Sequence, residues 1–329
     1  MKKLFLFFTL LLIYASSCLA QYINTSHKDA REIKKRILLV VLPEDDKDLL
    51  KEYEEANPTY ATLYKNDMEG QRMALKEVVL KHWKYTDSLV VVSQKEVNAM
   101  VKKYPDKYAV MKTGEQMQDR GYIRQNQANP PQVAWEKINE KIVYNSSKRH
   151  NIRILGITSL VIELPKRVME VYLPKMSSSE GDYIYAVTQM EYILSTLLKS
   201  QEYSANKLYR DLDNASGKLK NKILLLDGSE LGCKEAEIKK VYPYPFKIVS
   251  YEIVEKALKT KDSNSVVIQS SRYDINNSTY YLSNAGNGAI YCNYTGLTFN
   301  YGQRNGMYNV HVPYPSINVT NFERYGSVK

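Results

Sequence analysis

Apolar residues in this chain fall into short unbroken runs separated by amphipathic stretches, and that alternation predicts its elements. Arg36 to Val41 reads as a strand, and Met73 to Trp83 carries Met73, Ala74, Leu75, Val78, Val79 and Trp83 at helical spacing. Leu89 to Val92 is a second strand-length run. Ser93 then opens a helix with Val97, Met100 and Val101 on one face, and Tyr108 to Met111 is a third run. The predicted order is β-α-β-α-β.

The order recurs further along. Lys222 to Leu226 opens the second copy, Glu230 to Val241 is helix-like, and Phe246 to Val249 is the next strand. Ser250 starts a helix bearing Val254, Ala257 and Leu258, and Ser265 to Gln269 closes the unit. Ser93 and Ser250 stand at N-cap positions, and Ser93 with Glu96 forms a capping box. Hairpin-like segments follow each third strand: Ser159 to Leu164 with Val168 to Leu173, and Ser278 to Leu282 with Ala289 to Tyr294.

Between the copies, Asp182 to Tyr209 predicts a bridging helix with Tyr183, Val187, Met190, Leu194, Leu197 and Leu198 on one stripe. The expected fold class is therefore α/β: two tandem, diverged β-α-β-α-β units with mainly parallel sheets, each extended by a hairpin. Residues 21–34 are expected to be an N-terminal tail. The first unit covers 35–212, including an inserted Gln/Asn/Gly-rich loop at 113–131, a short helix holding Val133, Ile138 and Ile142, and the bridging helix. The second covers 213–329 and ends in a segment rich in Tyr and Asn.

The first twenty residues change the picture of where this fold resides. Met1-Lys2-Lys3, an apolar run from Leu4 to Tyr14, and small residues up to Ala20 make a secretory signal peptide, too short to span a bilayer. Cleavage is expected after Ala20. The alternative, a lipoprotein through Cys18, is disfavoured by Ala15 three places before that cysteine. The mature chain is then expected to be secreted or periplasmic, in a bacterial envelope, and without a transmembrane helix.

Removing Lys2 and Lys3 lowers the formal net charge from +10 to +8. The basic residues are spread in short clusters rather than gathered with aromatics on one element, which argues against nucleic acid; weak attraction to an anionic envelope surface or an acidic partner is the functional consequence, an ordinary solvated basic surface the competing reading, and an envelope protein or a glycan the candidate partner. Cys233 and Cys292 remain after cleavage, an even number in an oxidising compartment, and form a candidate disulfide, with buried free thiols as the equal alternative. Tyrosine is the compositional outlier, 28 residues against 6 Phe, with Tyr273, Tyr280, Tyr281, Tyr291, Tyr294, Tyr301, Tyr308 and Tyr314 in the last third. Half-buried cross-strand packing accounts for them first, and an aromatic surface for sugars second.

Open α/β sheets present ligands beyond the carboxyl ends of their strands. Glu44 and Asp45 after the first opening strand, and Asp227 and Ser229 after the second, are accordingly the candidate ligand-binding residues. The acidic pair resembles the cation-binding corner of receiver-type domains over a few residues, but the partner acid and lysine of that corner are absent. Helix starting is the competing role for all four.

No Gly-x-Ser-x-Gly, His-Glu-x-x-His, phosphate loop or Gly-x-Gly-x-x-Gly occurs, and His27, His82, His150 and His311 stand in no catalytic context. No catalytic residue, metal ligand or cofactor is assigned. The expected function is non-enzymatic binding or assembly in the cell envelope. The alternatives are a two-lobed solute-binding protein with its site between the copies, and a hydrolase without a familiar motif.

Overall fold

The computed structural model describes residues 21–23, 25–56, 58–119, 153–173, 179–199, 201, 208, 216–272, 277–297, 302–304, 307–309 and 317–327. The expected signal peptide with Cys18 and Ala20, the expected short helix after Pro131, and Tyr273, Tyr301 and Tyr314 lie outside these residues, as does most of the expected inserted loop.

The chain is α/β with two mixed sheets. The first is built from β1 (Gln21–Ile23), β2 (Ile37–Val41), β3 (Leu89–Val92), β4 (Tyr108–Asp119), β5 (Arg153–Glu163) and β6 (Arg167–Tyr172), in the order β1-β6-β5-β4-β2-β3. The second contains β7 (Ile223–Asp227), β8 (Phe246–Val249), β9 (Ser265–Arg272), β10 (Asn277–Asn284) and β11 (Ile290–Leu297), in the order β11-β10-β9-β7-β8. In each, the opening strand pairs in parallel with the next two and the hairpin adds antiparallel strands.

The expectation of mainly parallel sheets is thereby corrected. β4 runs on to Asp119 and β5 reaches back to Arg153, so the hairpins supply longer ladders than the parallel pairs they were expected merely to extend. The inserted loop likewise begins later than expected, because residues 113–119 belong to β4. Residues 21–34, expected as a tail, carry β1, which pairs with β6, and most of the helix α1 (His27–Lys35).

Register agrees between the two sheets. The parallel partners of Leu38 are Leu89 and Ala109, twenty residues apart, and those of Leu224 are Phe246 and Val266, again twenty apart. Glu163 pairs with Val110 and Ser283 with Val267, each one residue further along the third strand. Between the fourth and fifth strands the register shifts at Ile162/Glu163 in one sheet and at Leu282/Ser283 in the other, the same place in both ladders.

Helices follow from their starts. Ser26, Ser93 and Ser179 each accept from the backbone N–H three residues on, while the acid there accepts from the serine N–H; these capping boxes open α1, α4 (Gln94–Lys103) and α5 (Glu180–Leu198). Ser250 occupies the N-cap of α7 (Tyr251–Lys259) without a side-chain cap bond, and Ile253 stands where an acid would supply the reciprocal half of a capping box. The long connection before the second strand folds as α2 (Lys47–Ala56) and α3 (Pro58–His82). In the second unit, α6 is confined to Glu235–Val241, after a 3-10 turn at Gly228–Glu230. The C-terminal α8 (Val319–Ser327) docks beside it.

The bridging helix, α5, is buried on every side from Gly181 to Met190. A stripe was expected; burial all round follows from its place between the two sheets. One face of the first sheet, with Leu38, Val40, Ala109 and Met111, packs with Leu75, Val78 and Val79 of α3 and with α5. Leu225 and Val267 of the second sheet, with Val254, Ala257 and Leu258 of α7, join the same core. The outer face of the first sheet is covered by Val97 of α4, and that of the second by Ile238 of α6 with Phe322 and Tyr325 of α8.

Candidate functional site

The acids after β2 have separate attachments. Glu44 is exposed. Asp45 Oδ1 accepts from Arg72 Nη1 at 2.8 Å, and the guanidinium also reaches Glu69 at 3.0 Å and the Pro43 carbonyl at 3.3 Å. Helix α2 is capped instead by Asp46, whose Oδ1 accepts from Asp48 N at 3.0 Å and Leu49 N at 2.9 Å. After β7, Asp227 is buried and its Oδ1 accepts from the Ser229 N–H at 2.9 Å and the Ser229 hydroxyl at 2.8 Å, closing the 3-10 turn; Ser229 is otherwise exposed. Asp45 and Asp227 are each held within their own unit.

What lies between these two carboxyl edges is the first turn of α5. On one side, Gln71, next to Arg72, accepts from the buried Tyr183 hydroxyl at 2.7 Å. On the other, Tyr251 follows two residues after Val249, the partner of Asp227, and donates to Asp182 Oδ1 at 2.7 Å, with Ser179 Oγ 2.8 Å away. Asp182 Oδ2 accepts from Ser179 N at 2.8 Å, Glu255 accepts from Gly181 N at 3.0 Å, and Lys259 bridges Glu180 at 2.8 Å.

Burial, then the charge on Asp182, pushes the Tyr251 phenol far above its ordinary range. Lys259 is raised, first by its bond to Glu180. A Cβ on Gly181 would meet Glu255 Cγ at 2.7 Å, so glycine lets α7 approach this closely. The network's donors and acceptors serve one another, which makes it a junction between units.

Two buried polar groups were not legible as sites. Glu170 lies in an apolar strand and accepts from the Ser159 hydroxyl at 2.6 Å and from Arg167 at 2.8 Å; Gly114 leaves room for the pair, since a Cβ there would sit 2.1 Å from Ser159 Oγ. Burial, then the Glu170 charge, pushes the neighbouring Tyr172 phenol up to about 12. A lone acid between Met169 and Val171 was the available signal. The second is His82, with the half-buried Glu191 near the same Lys84 and Lys261. His82 is buried, and its Nε2 has no hydrogen-bond partner among the described residues. Burial first, then Lys261, Lys81 and Lys84, lowers its pKa, with Glu180 opposing. Glu191 accepts from the Lys84 N–H, and burial raises its pKa against that bond and the charge of Lys261.

Cys233 and Cys292 are both thiols in the structure, at the margin and in the interior of the second unit's outer core. Cys233 Sγ points at the Ile317 carbonyl at 3.6 Å, and burial followed by Glu237 raises its pKa, which keeps it a weak nucleophile. Among the described residues, no three His, Cys, Asp or Glu side chains are grouped to hold a metal ion, and no helix is long and apolar enough to cross a membrane. Comparison with protein-family models, with curated proteins and with solved structures gives no match.

Proposed function

We propose that the protein is an exported, non-enzymatic binding or assembly protein of the bacterial envelope, built from two diverged copies of one α/β unit around a shared helix. The observation that carries this reading is the use of the acids at the carboxyl edges. Asp45 serves Arg72, Asp46 caps α2 and Asp227 closes a turn, so these three acids are spent on the scaffold, while Glu44 is exposed. Duplication is supported by the common strand order, the twenty-residue spacing of parallel partners and the recurring register shift. Export rests on the Lys2, Lys3 and Leu4 to Tyr14 pattern.

The test has two arms. Intact-mass measurement of the chain from its native host is expected to show a start at Gln21; an acylated Cys18 start or an intact Met1 overturns the soluble exported reading. Asp45→Asn and Asp227→Asn are expected to keep every binding partner captured by the parent protein. Lost binding at unchanged stability would instead return a ligand site to these acids. That result would favour the second reading, a two-lobed solute-binding protein, for which the convergence of both carboxyl edges on the first turn of α5 is the specific observation.

A further inference from the structure

At the opposite, amino-terminal edge of the first sheet, two chain segments meet in a basic corner. Arg36 Nη1 donates to the carbonyls of Pro105 at 2.9 Å and Tyr108 at 3.1 Å, and Ile37 N donates to Lys107 O at 3.2 Å. These bonds bring the end of α1, with Lys34, to the end of α4, with Lys102 and Lys103. Residues 102–107 are exposed without a break, so the corner projects.

Tyr104 is 46% exposed, and Lys103 Nζ and Lys107 Nζ lie 5.1 and 5.6 Å from its ring centroid. The acids at this corner, Glu32 and Asp106, are within 3.8 Å of Arg36. Lys34, Lys102, Lys103 and Lys107 make no ion pair among the described residues. Two ammonium groups without an ion-pair partner among the described residues, Lys103 and Lys107, therefore flank an exposed amphipathic ring, with the exposed Lys34 and Lys102 on the adjoining helix ends.

We propose that this corner docks on an anionic phospholipid surface. The proposal deepens the envelope reading and rests on it for access to such a surface. Lysine stems flanking a tyrosine place apolar atoms at headgroup depth and the charges beside lipid phosphates. A projecting corner meets a plane without needing a groove. Each lysine near an anionic surface contributes on the order of 1 kcal/mol, so removing three weakens binding by about 100-fold.

Full-length mature chain is sedimented with phosphatidylcholine vesicles with and without phosphatidylglycerol. Binding is expected with phosphatidylglycerol alone, declining with salt. The K102E/K103E/K107E variant should lose about 100-fold or more and Tyr104→Ala several-fold, while K218E/K220E/K240E, an equal change in charge at exposed lysines elsewhere, keeps binding. Unchanged far-UV dichroism and urea midpoints establish that the variants fold.

Equal loss in both triple variants would reduce the effect to net charge and overturn the proposal. So would failure to bind phosphatidylglycerol vesicles, displacement by inorganic phosphate at constant ionic strength, which would make it a simple anion site, or preferential capture of polyglutamate, which would assign the corner to an acidic protein. The vesicle assay stands apart from processing. A chain shown to start at Gln21 but indifferent to vesicles removes the docking surface alone, whereas an unprocessed chain removes the export reading.

Discussion

Asp45 and Asp46 are neighbours of the same type with different energetic roles. Asp46 satisfies two orphan N–H groups of α2, so Asp46→Ala is expected to cost about 1 kcal/mol, whereas Asp45→Ala breaks a partly exposed ion pair with Arg72 and should cost between about 0 and 1 kcal/mol. Urea unfolding of the two variants would show the order, and a larger effect at Asp45 would contradict it. The run of acids after the first strand was visible in the sequence; which one caps was not, because capping depends on the turn taken after Val41.

His82 gives a pH prediction. Its folded pKa lies below the ordinary value of about 6.5, so the unfolded chain takes up a proton first and stability falls as pH drops below about 6.5. Glu191, with a raised pKa, works in the opposite sense at lower pH, because the folded state then binds its proton more readily. Between about pH 6.5 and pH 5 the His82→Gln variant is expected to lose less Tm than the parent, measured by circular dichroism. An equal loss would mean that His82 does not carry the acid sensitivity. Nothing in the local sequence marked this histidine, since its burial comes from contacts made far along the chain.

At the scale of elements, two glycines have opposite requirements. Gly288 has φ +71° and a Cβ there would lie 2.7 Å from the Thr188 carbonyl, so Gly288→Ala should destabilise by more than about 1 kcal/mol. Gly70 stands inside α3 with open space around it, and Gly70→Ala should stabilise by about 0.5–1 kcal/mol. Thermal melts of both variants decide the signs. Element order was largely legible because strand runs, serine starts and hairpins are local signals. The extent of β4, the helices before Met73 and the burial of α5 were not, because each depends on partners distant in sequence. A helix with a readable stripe is still buried all round when a second sheet closes its other side.

At the scale of the molecule, α5 belongs to one core with residues from both sheets, so the units should unfold together. Trp83 is buried in the core beside the first sheet, whereas Cys292 is buried in the second unit. In a Cys233→Ser background, tryptophan fluorescence and Cys292 reactivity toward a thiol reagent are expected to change at one urea midpoint. Leu194→Ala should shift both probes together, by about 2–5 kcal/mol. Separate midpoints would show that α5 serves one unit alone.

The faces turned toward α5 carry a consequence for assembly. The first sheet meets it with the side covered by its first crossover helix, α3, and the second with the side covered by its second crossover helix, α7. Under the duplication proposed above, this arrangement corresponds to a head-to-tail step, like successive treads of a stair, and not to a two-fold. Such a stack has polarity: its two ends, under α4 and under α6 with α8, are unlike surfaces. Any contact between copies that prolonged the step would be heterologous and would lead to a growing row, whereas a closed pair would have to use a different surface.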